Sequence, residues 1–357
     1  MNVAVREPRI EAAERLMVID CDIHPNPRSP GDVGQFLPQR WQRHAAQYGN
    51  LSREMYSDTI GYPRMSPAIS RADAWPPGGG PPGSDLEFMR QQHLDPNSVE
   101  IGNLIPLSTR GPDQRNLDFA AALCTALNDW QLEYWLKKEP RLRGSILVPH
   151  EDPAAAVAEI ERRADDARFV QVQLPPRTDE PLGRRRYRPI FAAAVAAGRP
   201  VAIHVGGQGG HAPTGTGWPS YYIEEHHSNV HTMQAVLTSL VVEGVFEELP
   251  DLRVLMVEGG FAWVPALCWR LDAQWKRFRE EVPHLKLEPS EYVRRNVWFT
   301  TQPIEEPERQ RDLADVIGWI GVDRLLFSTD YPHWDFDHPQ QVFRGVLDAR
   351  ERAQVFR

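Results

Sequence analysis

The sequence predicts an α/β fold, a (β/α)8 TIM barrel with a long insertion after its first strand. Three observations point there. Eight short apolar, β-branched runs recur along the chain, helix-like segments separate most of them, and 357 residues suit one barrel with an insertion, a single domain over 1–357. The runs are apolar throughout and do not alternate, as in parallel strands buried on both faces.

In chain order the runs are Leu16–Asp20, Glu100–Ile105, Gly144–Val148, Phe169–Leu174, Pro200–Val205, Arg253–Val257, Asn296–Thr300 and Arg324–Ser328. Between the third and fourth, Asp152-Pro153 reads as an N-cap followed by a first-turn proline, and the helix behind it carries Val157 and Ile160. A further helix runs from Pro189 to about Ala197 and stops at Gly198. Val264, Leu267, Leu271, Trp275 and Phe278 recur every three or four residues and mark one apolar helix face. The insertion spans about residues 26–98, and after a barrel strand it is expected to lie over the catalytic face as a lid or a partner-binding arm. Its stretch 76–83 is built of proline and glycine, which excludes a regular helix or strand and predicts mobility over the site. Gly206–Ser228 holds Gly-Gly-Gln-Gly-Gly without a full phosphate-binding pattern, so a flexible loop is expected there.

Forty Lys+Arg against 49 Asp+Glu give a net charge of -9 and no long basic run, which argues against nucleic acid or an anionic membrane as partner. A small-molecule substrate remains. Cys21, Cys124 and Cys268 are too few and too far apart for a disulfide framework or a zinc finger. With no apolar leader at the start, a cytoplasmic, reducing setting is expected.

Barrel chemistry sits at the C-terminal ends of strands, so the polar residue ending each run is the candidate. Asp22 and His24 follow the first run, and a spacing of two puts both on one side of an extended chain. His204 ends the fifth, Glu258 ends the sixth before Gly259-Gly260, and Asp330 follows the eighth. Two imidazoles with two or three carboxylates suit a catalytic divalent ion with a position left for water. Each residue alone is weak evidence; their placement at the ends of one repeat is the argument.

Asp22-Ile23-His24, Ile203-His204-Val205-Gly206, Leu249-Pro250-Asp251-Leu252 running into Glu258-Gly259-Gly260, and Phe327-Ser328-Thr329-Asp330-Tyr331-Pro332-His333 together resemble the amidohydrolase-related (amidohydrolase 2) family. That branch of the amidohydrolase superfamily includes aminocarboxymuconate semialdehyde decarboxylase and the hydroxybenzoate-type decarboxylases. The resemblance implies a metal held by Asp22, His24, His204 and Asp330, with Asp330 also taking a proton from a metal-bound water. This chain departs from the pattern in carrying Asp22 where the first strand usually has His or Glu, and Glu258 where strand six commonly has His. The family also usually runs on past its last helix, where this chain stops at Arg357.

Glu258 is expected to act as base, ligand or substrate contact. Among His226, His227 and His231, His227 is favoured to face the site, since adjacent helical residues cannot both do so. His333 is expected beside Asp330, and His150 at the end of the third strand. Arg184-Arg185-Arg186 reads as a solvated run more readily than as a carboxylate anchor. The leading expectation is a zinc hydrolase, with manganese as second metal. The alternatives are decarboxylation of an aromatic or unsaturated acid and a non-catalytic binding protein. A homodimer is the default assembly.

Overall fold

The computed structural model describes residues 17–49, 67–107, 111–206, 212 and 214–357. Eight parallel strands pair in chain order: β1 (Val18–Ile23), β2 (Val99–Leu104), β3 (Leu142–Leu147), β4 (Phe169–Leu174), β5 (Val201–His204), β6 (Val254–Val257), β7 (Val297–Thr300) and β8 (Leu325–Leu326). The ring closes between last and first. The Cys21 amide donates to the Phe327 carbonyl at 2.9 Å, the His24 amide donates to Tyr331 at 2.8 Å, and Ile23 bridges Tyr331 in parallel. The barrel is thus the one the sequence predicts. Strand ends differ by a few residues: β1 runs on to Ile23, and β8 is cut to two residues as the chain turns toward the site. Leu16, the expected start of the first strand, lies outside the described residues.

Strand periodicity divides the interior. In β5 and β6, Val201, Ile203, Val254 and Met256 face the surrounding helices and join the main core. Ala202, Leu255 and Val257 form a smaller cluster with Ile105 on the opposite face, toward the barrel axis. His204 shares the parity of Ala202, so its ring points to the axis as well.

Asp152 caps the helix Pro153–Arg163 by accepting from the Ala155 amide at 3.2 Å. The helix Arg188–Ala196 ends before Gly198, whose φ of 66° suits glycine. In the helix Val264–Arg277, Val264, Cys268 and Leu271 are buried, while Leu267 and Trp275 are partly so. Phe278 is a correction: it is 58% exposed, because the helix stops at Arg277 and the spacing rule stops with it. Among the described residues no helix is long and apolar enough to cross a membrane.

The insertion is partly ordered by its own helices, Pro30–Gly34 and Gln39–Tyr48, and returns to β2 through Leu86–Met89 and one π-helical turn, Arg90–Leu94. Residues 50–66 of it lie outside the described residues. The proline–glycine stretch is irregular, as expected, but it is docked rather than loose. Asn26 donates its backbone amide to Gly83 O at 2.8 Å and its side-chain amide to Pro82 O at 2.7 Å. Gly83 has φ 73°, and a Cβ there would overlap the carbonyl oxygen of His24. Only glycine lets the insertion lie this close to the site.

Candidate metal centre

Five predicted residues meet at the C-terminal mouth of the barrel. Asp22 lies near the end of β1, His24 just beyond it, His204 at the end of β5, Glu258 just beyond β6, and Asp330 on the turn after β8. Glu258 and Asp330 hold φ of 59° and 62°, left-handed backbone that few non-glycine residues adopt and that Ala68, Ile69, Ser98 and Phe343 share here. His24 Nε2 is 2.7 Å from Asp330 Oδ1, 3.2 Å from Asp22 Oδ1 and 3.9 Å from Glu258 Oε2. His204 Nε2 is 2.8 Å from Glu258 Oε2 and 3.4 Å from Asp22 Oδ2. One atom each of Asp22, His24, His204 and Glu258 fall within 4.8 Å of one another, and so do atoms of His24, Glu258, Asp330 and His333.

These side chains fit a divalent metal. His24 Nδ1 lies 2.8 Å from Ile105 O and His204 Nδ1 lies 2.7 Å from Val205 O. Each Nδ1 therefore carries the hydrogen, and each Nε2 turns its lone pair inward. Both Asp22 oxygens, both Nε2 atoms and Glu258 Oε2 are buried without a well-formed hydrogen bond. Buried lone pairs facing one another demand a cation or protons between them.

The electrostatics show the same strain. Burial raises the Asp22 pKa, but the neighbouring His24 and His204 outweigh it and the net shift is downward. Burial drives His24 down to about 4 against the pull of Asp22. Burial also opposes charge on His204, yet Asp22 and Glu258 together raise it to about 10. Asp330 is pushed well above the carboxylate range by burial, then by Glu258 and Asp335. His333 falls to about 4, chiefly through burial.

A cavity of about 850 Å³ opens above the cluster, and His24, His204, Glu258 and His333 form part of its wall. The amidohydrolase family pattern matches residues 19–357.

The chain belongs to the amidohydrolase family.

As a member of that family it is an enzyme. It is similar to a gamma-resorcylate decarboxylase of Rhizobium sp. (strain MTP-10005), 26% identical over 292 residues that cover 76% of this chain and 85% of the relative. Its fold is similar to that of the 5-carboxyvanillate decarboxylase of Sphingomonas paucimobilis, with a TM-score of 0.70, 21% identity and 96% of each chain covered. The dihydroxybenzoic acid decarboxylase of Polaromonas sp. JS666, solved with bound manganese and the inhibitor 2-nitroresorcinol, gives a TM-score of 0.65 at 20% identity over 95% of this chain and 94% of that one. The non-catalytic alternative gives way to an amidohydrolase-family enzyme.

Not every predicted residue of this amidohydrolase reaches the site. His227 is corrected: it is exposed and packs edge-on against His231 at 5.1 Å. The helix Tyr222–Val242 turns about 100° per residue, and that rotation delivers His226 to the cavity instead. His226 Nε2 sits 3.2 Å from Asp335 Oδ2. His333 lies where expected, its Nδ1 2.6 Å from Asp330 Oδ1 and its ring stacked on His24 at 4.4 Å. His150 is buried but does not line the cavity. Of the arginine run, Arg184 pairs with Glu243 at 3.3 Å and Arg186 with Glu151 at 3.0 Å, away from the cavity.

Sequence reasoning missed the supports. Asp20 accepts from the Thr329 amide at 3.0 Å and its hydroxyl at 2.5 Å, and pairs with His93 of the insertion at 2.8 Å. This fully buried knot ties β1, the turn after β8 and the insertion together beneath the metal cluster. On the other side, Glu305 Oε1 accepts from the Phe261 and Ala262 amides at 3.0 and 2.9 Å, and Thr300 Oγ1 accepts from the Glu258 amide at 2.9 Å. A Cβ at Gly260, φ 60°, would come within 2.5 Å of Glu305 Oε1, so the second glycine of Glu258-Gly259-Gly260 exists for this contact. The Asp-x-His pair had a visible spacing; Asp20, with the same parity, was readable by the same rule, whereas nothing in the sequence marks Glu305.

Proposed function

We propose that this enzyme removes the carboxyl group of an aromatic acid without oxidation, using a divalent metal held by Asp22, His24, His204 and Asp330. The observation that carries the reading is that decarboxylases align with it over most of their own length; the grouping of Asp22, His24, His204 and Glu258, with Asp330 2.7 Å from His24, supports a metal site there. The hydrolysis favoured from sequence has no comparable support. Manganese moves ahead of zinc, because a set with two imidazoles and up to three carboxylates is harder than zinc usually takes.

When bound, the metal supplies positive charge that orients and polarises the oxygens of the acid. The protein's residues do the rest. The aryl–carboxylate bond breaks, its electron pair stays on the ring carbon, and that carbon takes a proton as carbon dioxide leaves. Asp330 is the group placed to hold and deliver that proton, with His333 bonded to one of its oxygens and Gln302 Nε2 donating to the other at 3.2 Å. Arg177, on the cavity wall and bonded to Gly206 O at 3.3 Å, contributes positive charge toward an anionic substrate. A homodimer in a cytoplasmic setting completes the proposal, and sedimentation of the metal-loaded protein tests the assembly.

The deciding experiment incubates metal-loaded enzyme with hydroxybenzoates and measures carbon dioxide and the ring product in equal amounts. Turnover that takes up water and releases no carbon dioxide would overturn the lyase reading.

A further inference from the structure

The cavity is much larger than a hydroxybenzoate needs. A void of about 150 Å³ takes a benzene ring, against about 850 Å³ here. The surplus has a distinct character. One part of the wall is made by Val33, Leu37 and Ala45 of the insertion, Leu107 after β2 and Leu123 of the helix Leu117–Gln131. None of these residues belongs to the metal cluster. Polar members of the same wall are occupied: Arg28 donates to the Gly78 carbonyl and Asp113 also has a partner within the protein. Another part carries Arg177 after β4, Tyr222, Glu225 and His226 after β5, and Asp335 after β8, with His226 and Asp335 paired. The cavity therefore has a charged end and an apolar lobe, joined over the metal cluster. Val33, Leu37 and Leu123 are 5–6% exposed and Leu107 is 37% exposed, so the lobe is deep at the first three and opens to solvent at Leu107.

We propose that the substrate is an aromatic acid carrying an apolar side chain several carbons long, with the acid on the metal cluster and the chain in the lobe. The inference rests on the decarboxylase reading and deepens it. A small polar acid leaves the lobe filled with water against aliphatic walls, whereas a chain displaces that water and gains about 0.8 kcal/mol for each buried methylene, close to a fourfold gain in affinity. The insertion acquires a function on this account: it builds most of the lobe and so selects the substrate.

The test is calorimetric binding of 2-hydroxybenzoates bearing linear 4- or 5-alkyl chains, from methyl to heptyl, to the metal-loaded enzyme. In at least one series Kd should fall two- to fourfold per added carbon until the lobe is full. Leu37→Trp, which fills the lobe, should abolish that trend and leave the methyl compound's Kd within twofold; Val33→Phe serves if the first variant does not fold. A Kd that is flat or rises with chain length in both series overturns the substrate assignment, while binding of the methyl compounds keeps the decarboxylase reading alive. If metal-loaded enzyme binds none of the acids, both fall together.

Discussion

Glu258 shows how one side chain sets the character of the site. Its carboxylate lies 2.8 Å from His204 Nε2, nearer than Asp22 at 3.4 Å. If it shares in holding the metal, Glu258→Gln should lower metal affinity at least tenfold, read by titration with manganese. Metal retained with turnover lost would instead make it a proton carrier, since the amide keeps the shape but takes no proton at neutral pH. If His204 is a ligand, His204→Ala should leave the protein depleted of metal by elemental analysis; equal metal in variant and parent would take His204 out of the site. Asp337 supplies a pH test away from the cluster. Burial first, then Asp335, Glu306 and Glu305, raise its carboxyl to about 7, while it accepts from the Ile304 amide at 3.0 Å. The folded protein therefore binds more protons than the unfolded chain between about pH 4 and 7, and stability declines as pH rises through that window. Asp337→Asn keeps the acceptor and removes the charge. It should match the parent near pH 4 and exceed it by up to about 4 kcal/mol at pH 8, read as a higher Tm. An unchanged pH profile would sink this account.

The elements hold these residues through contacts that leave little tolerance. Gly83→Ala forces a methyl group into the carbonyl of His24 at a left-handed position, so it should cost about 2–3 kcal/mol and displace His24. Thermal unfolding and metal titration should both shift; an unaffected variant would show that the insertion is not seated there. Glu305→Ala releases the loop that aims Glu258 and should weaken metal binding with a small loss of stability, while Glu305→Gln, which still accepts, should recover most of it. Such contacts explain what was legible in the sequence. Strands and site candidates share one signal, a buried apolar run ending in a polar residue, so Asp22, His24, His204, Glu258 and Asp330 were readable together. Phe278 failed because spacing cannot say where a helix stops, and His227 failed because it cannot say which of two adjacent rings faces inward. The docking of 76–83 stayed hidden because proline and glycine content excludes regular structure without excluding tight packing. The knot of Asp20, His93 and Thr329 joins three distant segments, and no local pattern encodes it.

For the whole molecule, the metal cluster draws on four of the eight strands, so a bound ion stabilises the folded barrel as a unit. Loading at a free metal concentration of one hundred times Kd should add about 2.7 kcal/mol, and stripping with a chelator should lower Tm by a few degrees. A Tm indifferent to chelator would mean that the ion is not held by this cluster. The closure of the ring has a further consequence. Asp20 and Thr329 are 309 residues apart in sequence yet bonded in the fold, and His24 meets Asp330 across the same seam at 2.7 Å. During synthesis on the ribosome the first strand emerges long before its partner exists. If the ion needs Asp330, its site is completed only after nearly the whole chain has been released, and metal loading follows synthesis. Joining the two ends of this chain and opening it elsewhere, between strands that carry no ligand, would bring the seam residues close in sequence and let the ion bind earlier in folding.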